Sequence, residues 1–333
     1  MKNKHNNFKR IMGRIAEEIK STYQIAKETS IIKAIKTLIA KIDIQIMNRN
    51  GYKESKQMKK HLLEKHNIMI DYYEKTFDNF IKNYKVVKNI EDNKEDYSKC
   101  IWICWWQGLD NAPILVKKCI ESIKRNAGNH KVIILTEDNY KQYVDIPIEI
   151  EDKKRKGIIT RTNYSDLLRL SLLAKHGGMW LDATFFCTGN LNEYFKLPLW
   201  SIKRPDYGHA SVACGNFAGY SLYCNKDNRW IFNVIRDLFI NYWMNNDSMV
   251  DYLMVDYMIV LAQRLDNDIK KAFDEIPSNN PLCDELYKVM SNKYDEKDWE
   301  TIKKDTKLFK LSWKDKYNCE GTFYSKILED KLN

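Results

Sequence analysis

Apolar positions follow two regimes along the chain. In the first quarter Phe8, Ile11, Met12, Ile15, Ile19 and Tyr23, then Ile31, Ile35, Leu38, Ile39, Ile42 and Ile46, recur three and four residues apart, the spacing of a helical face. Asn48-Arg49-Asn50-Gly51 breaks that pattern. A second helical stretch carries Leu62, Leu63, Ile70, Tyr73, Phe77, Phe80, Ile81 and Tyr84. From about residue 97, short apolar runs alternate with helical periods, the signature of an α/β fold. Ile101 to Trp106 and Lys131 to Leu135 read as buried strands, with Ile114 to Arg125 as the helix between them. Ile146 to Ile150 reads as a short third extended piece. Ser165 to Lys175 has helical spacing, with Ser165 as its N-cap and Gly177 as its left-handed stop. Met179 to Phe186 reads as a buried strand interrupted at Asp182. Arg229 to Trp243 predicts an amphipathic helix, and Met249 to Leu265 a buried one carrying Asp251 and Asp256.

Composition changes the picture in one respect. A chain of 333 residues at 44% hydrophobic can bury a large core, enough for one big domain and an appendage, or for two domains. Residues 1–90, however, hold 20 Lys/Arg against 9 Asp/Glu, while the remaining 243 hold 35 against 36. The excess of positive charge therefore belongs to the first quarter. This divides the chain into a basic helical region, 1–96, and an α/β domain, 97–333. The basic helices either pack on the body with lysines as a solvated face, or lie on an anionic membrane surface. Nucleic acid is not expected as a partner, since no aromatic-interleaved binding motif accompanies the lysines. The eight cysteines are scattered without a CxxC pair and read as reduced thiols. No apolar run is long enough to span a bilayer, and no signal-peptide core is visible, so a cytoplasmic position is expected.

Asp182 is where chemistry enters. A lone carboxylate inside an apolar strand costs free energy unless paired or ligated, so it is expected at the strand's end, facing a ligand. Ligands of open α/β sheets sit outside the carboxyl ends of the strands. That rule gathers Trp105 or Trp106, Thr136 to Asn139, and Asp182 around one crevice. Asp166 and Arg169 share a helical face just upstream.

The series Asp166, Arg169, Gly177, Gly178, Trp180, Leu181, Asp182 resembles the sugar-binding region of DXD-carrying glycosyltransferases. The match is to the capsular polysaccharide synthesis family, with initiating mannosyltransferases and clostridial glucosylating toxins as more distant relatives. The third DXD position is Thr184 here, a departure from the family's second carboxylate. The resemblance implies a GT-A-like (Rossmann-like) nucleotide-sugar-binding α/β sandwich behind the N-terminal helices. It implies transfer of a sugar from a nucleotide-sugar donor, such as a UDP-sugar, to a lipid-linked oligosaccharide in capsular or surface polysaccharide assembly. Retention of anomeric configuration, and a peripheral position at the inner membrane face, follow from it.

By the same resemblance Asp166 accepts hydrogen bonds from the donor sugar and Arg169 contacts the sugar or diphosphate. A tryptophan of the first strand stacks on the base, Trp105 by its distance to the Gly108 turn, with Trp102 and Trp106 as alternatives. Asp182 holds the ribose hydroxyls, a metal, or both. Mn²⁺ or Mg²⁺ is the expected cofactor, put in doubt by Thr184, a poorer ligand for a hard cation. The late segment Lys310-Leu311-Ser312-Trp313-Lys314 is similar to the family's closing loop. In it Lys310 or Lys314 faces the diphosphate, the two sharing one face of a strand-like run, and Trp313 shields the site. Asp256, in an Asp-Tyr helix, orients the acceptor hydroxyl or satisfies a buried partner. Thr184 also raises two alternatives: a metal-independent transferase, and a non-catalytic membrane-associated scaffold of the assembly machinery.

Overall fold

A computed structural model describes residues 2–91, 95–204 and 208–332; in its first helix the side chains are described at position 13 and from 15 onward. The side chains of Phe8, Ile11 and Met12 in the periodic stretch therefore lie outside what is described.

Four helices lead the chain: α1 (Lys2–Glu28), α2 (Ile31–Arg49), α3 (Lys56–Thr76) and α4 (Asp78–Asn83). The first helical stretch is thus carried by two helices. The break falls at Thr29-Ser30, where the Ser30 side chain accepts a hydrogen bond from the Lys33 N–H and caps α2. The second break holds, with α2 ending at Arg49 and Gly51 at φ +65°.

The α/β part begins with β1 (Ile101–Cys104), α5 (Ile114–Asn126), β2 (Val132–Leu135), α6 (Ile148–Arg155), α7 (Arg161–His176) and β3 (Gly178–Leu181). The piece expected to be extended at 146–150 is instead the start of α6. Pro147 precedes its first turn, Glu149 and Glu151 lie in that turn, and Lys153, Lys154 and Arg155 close the last one, a charge order that suits the helix dipole. Thr160, not Ser165, caps α7, by accepting from the Asn163 N–H. Ser165 lies one turn inside, donating to the Arg161 carbonyl and accepting from Trp106 Nε1. The predicted strand 179–186 is two strands in two sheets, β3 and β4 (Phe185–Cys187), with Asp182 just past the end of the first.

Next come β5 (Leu199–Ser201), β6 (Ser221–Cys224), α8 (Arg229–Asn245), α9 (Met254–Leu265), α10 (Asn267–Asp274), α11 (Glu285–Val289), α12 (Glu296–Lys303), β7 (Leu308–Lys310) and α13 (Phe323–Leu328). α9 is shorter than its apolar period, because Asp251 turns its carboxylate onto the Leu253 N–H ahead of the helix. The large sheet has the order β2-β1-β3-β6-β5 and the small one pairs β4 with β7. β1 runs parallel to β2 and β3, while β6 is antiparallel to both its neighbours. The fold is mixed α/β, with a parallel-rich centre. Parallel pairing brings the carboxyl ends of β1, β2 and β3 to one edge, where Trp105, Thr136 and Asp182 follow.

The glycine pair sets that edge. Gly177 ends α7 at φ +71°, and Gly178 opens β3 at φ +86° with its Cα pressed on β1. A Cβ at Gly178 would lie 2.7 Å from the Cys100 carbonyl oxygen and 2.9 Å from that of Tyr97. Only glycine allows both the dihedral and the approach.

The leading helices share the main core: Ile25, Ala34, Met69 and Tyr73 are buried in one cluster with β1, β3, α8 and α9. A buried ion pair joins α3 to the segment before α9, Lys65 Nζ lying 2.7 Å from Asp251 Oδ2. His66 Nδ1 lies 2.8 Å from the Tyr257 hydroxyl. Among the described residues no helix is long and apolar enough to cross a membrane.

Candidate active site

A cleft of about 400 Å³ opens at the carboxyl edge of the large sheet. Trp105, Trp106 and Gln107 after β1, Arg169 on α7, and Asp182 and Thr184 between β3 and β4 line it, as do Lys310, Trp313 and Lys314 at and after β7. Of the ten residues singled out from the sequence or its resemblance as donor-binding or catalytic (counting Trp106), eight stand on this wall. Asp166 and Asp256 are buried and do not. Thr136 to Asn139 are also elsewhere, since the Asn139 side chain ties down that turn by bonding the Thr136 N–H and the Ile134 carbonyl.

Arg169 organises the inner end. Its guanidinium lies 2.8 Å from Asp166 Oδ1 and 3.6 Å from Asp182 Oδ1, and donates to the Gly219 carbonyl. Asp166 Oδ2 accepts from Asn163 Nδ2 at 3.4 Å, so this carboxylate is drawn behind the arginine. Burial pushes the Asp166 carboxyl up to about 7; Arg169 pulls it down and Asp182 adds to the rise. Asp256 accepts from the Ser211 hydroxyl at 2.9 Å. Burial raises its carboxyl to about 6, against the pull of that bond and of Arg169. A Cβ at Gly219 would lie 2.6 Å from Asp256 Oδ1 and 3.8 Å from Arg169 Nη1, so this glycine lets arginine and aspartate close up around the chain.

The outer end is set by Lys310. Its Nζ lies 3.1 Å from Asp182 Oδ2 and 2.6 Å from Thr184 Oγ1. Register puts it there, since Lys310 pairs with Phe185 across the small sheet. For Asp182 burial acts upward, but Lys310 and then Arg169 outweigh it and hold the carboxyl below its ordinary value. Trp180 Nε1 donates to the other oxygen at 3.1 Å. β7 ends at Lys310, so Lys314 belongs to the loop beyond it and not to the same strand face.

Of the three tryptophans near β1, Trp102 is core, fully buried and donating to the Gly177 carbonyl. Trp106 is fixed by Ser165, with Lys154 Nζ 4.5 Å from its ring. Trp105 meets Trp313 edge to face at 5.7 Å, and Trp313 is exposed. Trp105 Nε1 and Arg169 Nε are buried donors without a hydrogen-bond partner among the described residues. Orphaned donors on a cleft wall mark places where a ligand oxygen fits.

The family described as capsular polysaccharide synthesis protein matches residues 49–327. The chain belongs to that family. The matched region starts before α3 and reaches into α13, so it takes in both sheets and every residue of the cleft. No curated protein matches the chain. Among solved structures it is similar to an apo structure of the WbbM bifunctional glycosyltransferase, at 12% identity and a TM-score of 0.40. That similarity covers 89% of this chain and 63% of the other.

Among the described residues, the side chains on the cleft wall do not by themselves make a divalent-cation site. Asp182 is the one carboxylate among the described residues of that wall, and one of its oxygens is already held by Lys310. Among the described residues no group of three His, Cys, Asp or Glu could hold a metal. Tyr252 went unnoticed in the sequence: it is exposed, yet close enough to Asp166, Asp182 and Arg169 to feel their charges. It carries no periodic or motif signal that could have drawn attention to it.

Proposed function

We propose that this capsular polysaccharide synthesis protein is a retaining glycosyltransferase. Its donor is a nucleotide sugar, with a UDP-sugar as the first candidate, and its acceptor a lipid-linked oligosaccharide met at the membrane's inner face. One observation carries the reading. Asp182 is held between Arg169 from α7 and Lys310 from β7, at the throat of a cleft walled by tryptophans. An acidic strand terminus flanked by two cations suits a ligand that brings both hydroxyls and phosphates.

In this reading the base lies against Trp105, whose ring is supported by Trp313, and ribose hydroxyls donate to Asp182. Lys310 and Lys314 neutralise the diphosphate, where charge grows as the bond to the anomeric carbon breaks. The acceptor oxygen bonds to that carbon from the same face, and its proton passes to the departing phosphate oxygen, so no separate base is needed. Arg169 grips the donor with its unspent Nε–H. Asp166 and Asp256, both off the cleft wall, hold Arg169 in place.

The test is thermal stabilisation by a panel of nucleotide sugars in EDTA and in Mn²⁺, followed by transfer assays, since a ligand of the folded state raises its melting temperature. A UDP-sugar should stabilise the wild type in EDTA and fail with Arg169→Ala. Absence of stabilisation by every nucleotide sugar would remove the enzyme reading. Transfer lost in EDTA and restored by Mn²⁺ would remove the ammonium role of Lys310.

A further inference from the structure

α2 has two apolar faces where a surface helix of a globular protein needs one. Its buried face is made of small or thin side chains, Ala34, Thr37, Ala40 and Met47. At 100° per residue those four positions fall on one side of the helix, whereas Ile31, Ile32, Ile35, Ile39, Ile42 and Ile46 fall within an arc of about 100° on the other. All six isoleucines are exposed, Ile31 at 71% and Ile32 at 69%. α1 repeats the arrangement: Ser21 and Ile25 are buried, while Ile15, Ile19 and Tyr23, four apart, are exposed. Single exposed isoleucines are ordinary, but a continuous stripe of them marks an interaction surface.

Charge selects the occupant. Residues 1–50 hold 11 Lys/Arg against 4 Asp/Glu. Two of those acids are engaged internally, Glu18 by Lys41 and Asp43 by His61. Lys20, Lys27 and Arg49 stand exposed on the two helices, as does Lys36, which pairs with Glu64 of α3. A surface that is at once greasy and positive matches the interface of an anionic bilayer, where apolar side chains enter the acyl boundary and ammonium groups meet lipid phosphates. A protein partner would need matching acids around an apolar groove, and a second copy of this chain would set like charges against each other.

We infer that the isoleucine face of α2, with that of α1, docks this chain on an anionic lipid surface. α2 and α1 lie flat, and the packing of α3 against the body through Lys65 and Asp251 carries the α/β domain with them. The inference deepens the lipid-linked acceptor reading by naming the surface on which the acceptor would be met, but its test needs no sugar transfer.

The full chain is sedimented with phosphatidylcholine vesicles and with vesicles that also contain phosphatidylglycerol, at low and raised salt. Binding to the anionic vesicles alone, weakened by salt, is expected. Ile35→Ser/Ile39→Ser/Ile42→Ser should reduce the partition coefficient about a hundredfold, since three partly exposed side chains lose their apolar transfer. Its melting temperature should stay close to the wild type's, because these side chains are exposed and belong to none of the buried clusters. Lys20→Glu/Lys27→Glu should lower binding to anionic vesicles and flatten its salt dependence. Equal binding of the triple variant and the wild type would overturn the inference. So would a dimer, seen by analytical ultracentrifugation without lipid, that the triple variant abolishes.

Discussion

Lys310 and Thr184 meet across the small sheet at 2.6 Å, with Asp182 Oδ2 a further 3.1 Å from the same ammonium. The position that a second DXD carboxylate would fill is thus taken by a hydroxyl turned to a lysine. An acid at 184 would leave two carboxylates around one ammonium. A hydroxyl leaves that ammonium only half neutralised, with attraction to spare for phosphate.

Replacing Lys310 with Met should therefore weaken UDP binding by tenfold to a hundredfold, on the order of 1.5–3 kcal/mol for a charge-assisted contact. Thr184→Val should cost no more than a few-fold. Isothermal titration in EDTA measures both. If Lys310→Met bound UDP as the wild type does, the lysine would have no part in holding the diphosphate.

The buried acids predict a stability slope with pH. Folding raises Asp166 to about 7 and Asp256 to about 6, above the ordinary 3.8. The folded chain then keeps protons that the unfolded chain releases, so their contribution is complete below 3.8 and is lost as pH rises through 6 and 7. His66 works the other way, since burial lowers it to about 4 and makes folding more favourable as pH climbs from 4 to its ordinary 6.5. Asp256→Asn isolates one acid. Urea melts at pH 5 and pH 7.5 should show the wild type losing more stability across that interval than the variant. The slope difference is at most about 1.4 kcal/mol per pH unit. Identical slopes would mean that Asp256 is not protonated in the fold.

The ion pair between Lys65 and Asp251 ties the leading helices to the segment before α9. Burial acts to raise the Asp251 carboxyl, but Lys65 and Lys41 hold it below its ordinary value. Lys65→Met should destabilise by about 3–5 kcal/mol because it strands a buried carboxylate. Adding Asp251→Asn should recover a good part of that loss. A double-mutant cycle by chemical denaturation reads the coupling, and additive losses would show that the two groups act apart.

Gly178→Ala should cost about 2–4 kcal/mol, combining a positive φ with a Cβ pressed on the carbonyls of Cys100 and Tyr97. Gly51→Ala has the dihedral penalty but open space, and should cost about 1 kcal/mol. Equal losses in urea melts would show that crowding against β1 is not what selects glycine.

Much of the site was legible because its elements are short and sharply punctuated. β1, β2 and α5 declare themselves by apolar runs closed at Gly108, Pro113 and Thr136, and Gly177 stops α7 where its spacing ends. The acid expected at a strand end lies there because an unpaired carboxylate has no place inside one. Sequence failed where a long-range partner decides the structure. Nothing local separates one strand from two at Ala183-Thr184, since only pairing with β7 pulls Phe185 into another sheet. The strands β5 and β6 have no periodicity of their own, and the shared helical face of Asp166 and Arg169 shows their pairing but not that the carboxylate lies off the cleft wall. Ile146 to Ile150 misled because one proline and three isoleucines look extended, whereas the flanking charges favour a helix.

The step from Leu181 to Phe185 has a mechanical consequence. Asp182 hangs from the last residue of one layer, and the ammonium that faces it from the last residue of another strand in a different layer. Sliding the layers past each other by an ångström would part these opposite charges without breaking a rung of either ladder. A nucleotide bound at that seam, as proposed above, would bridge both sheets and hold them in one alignment.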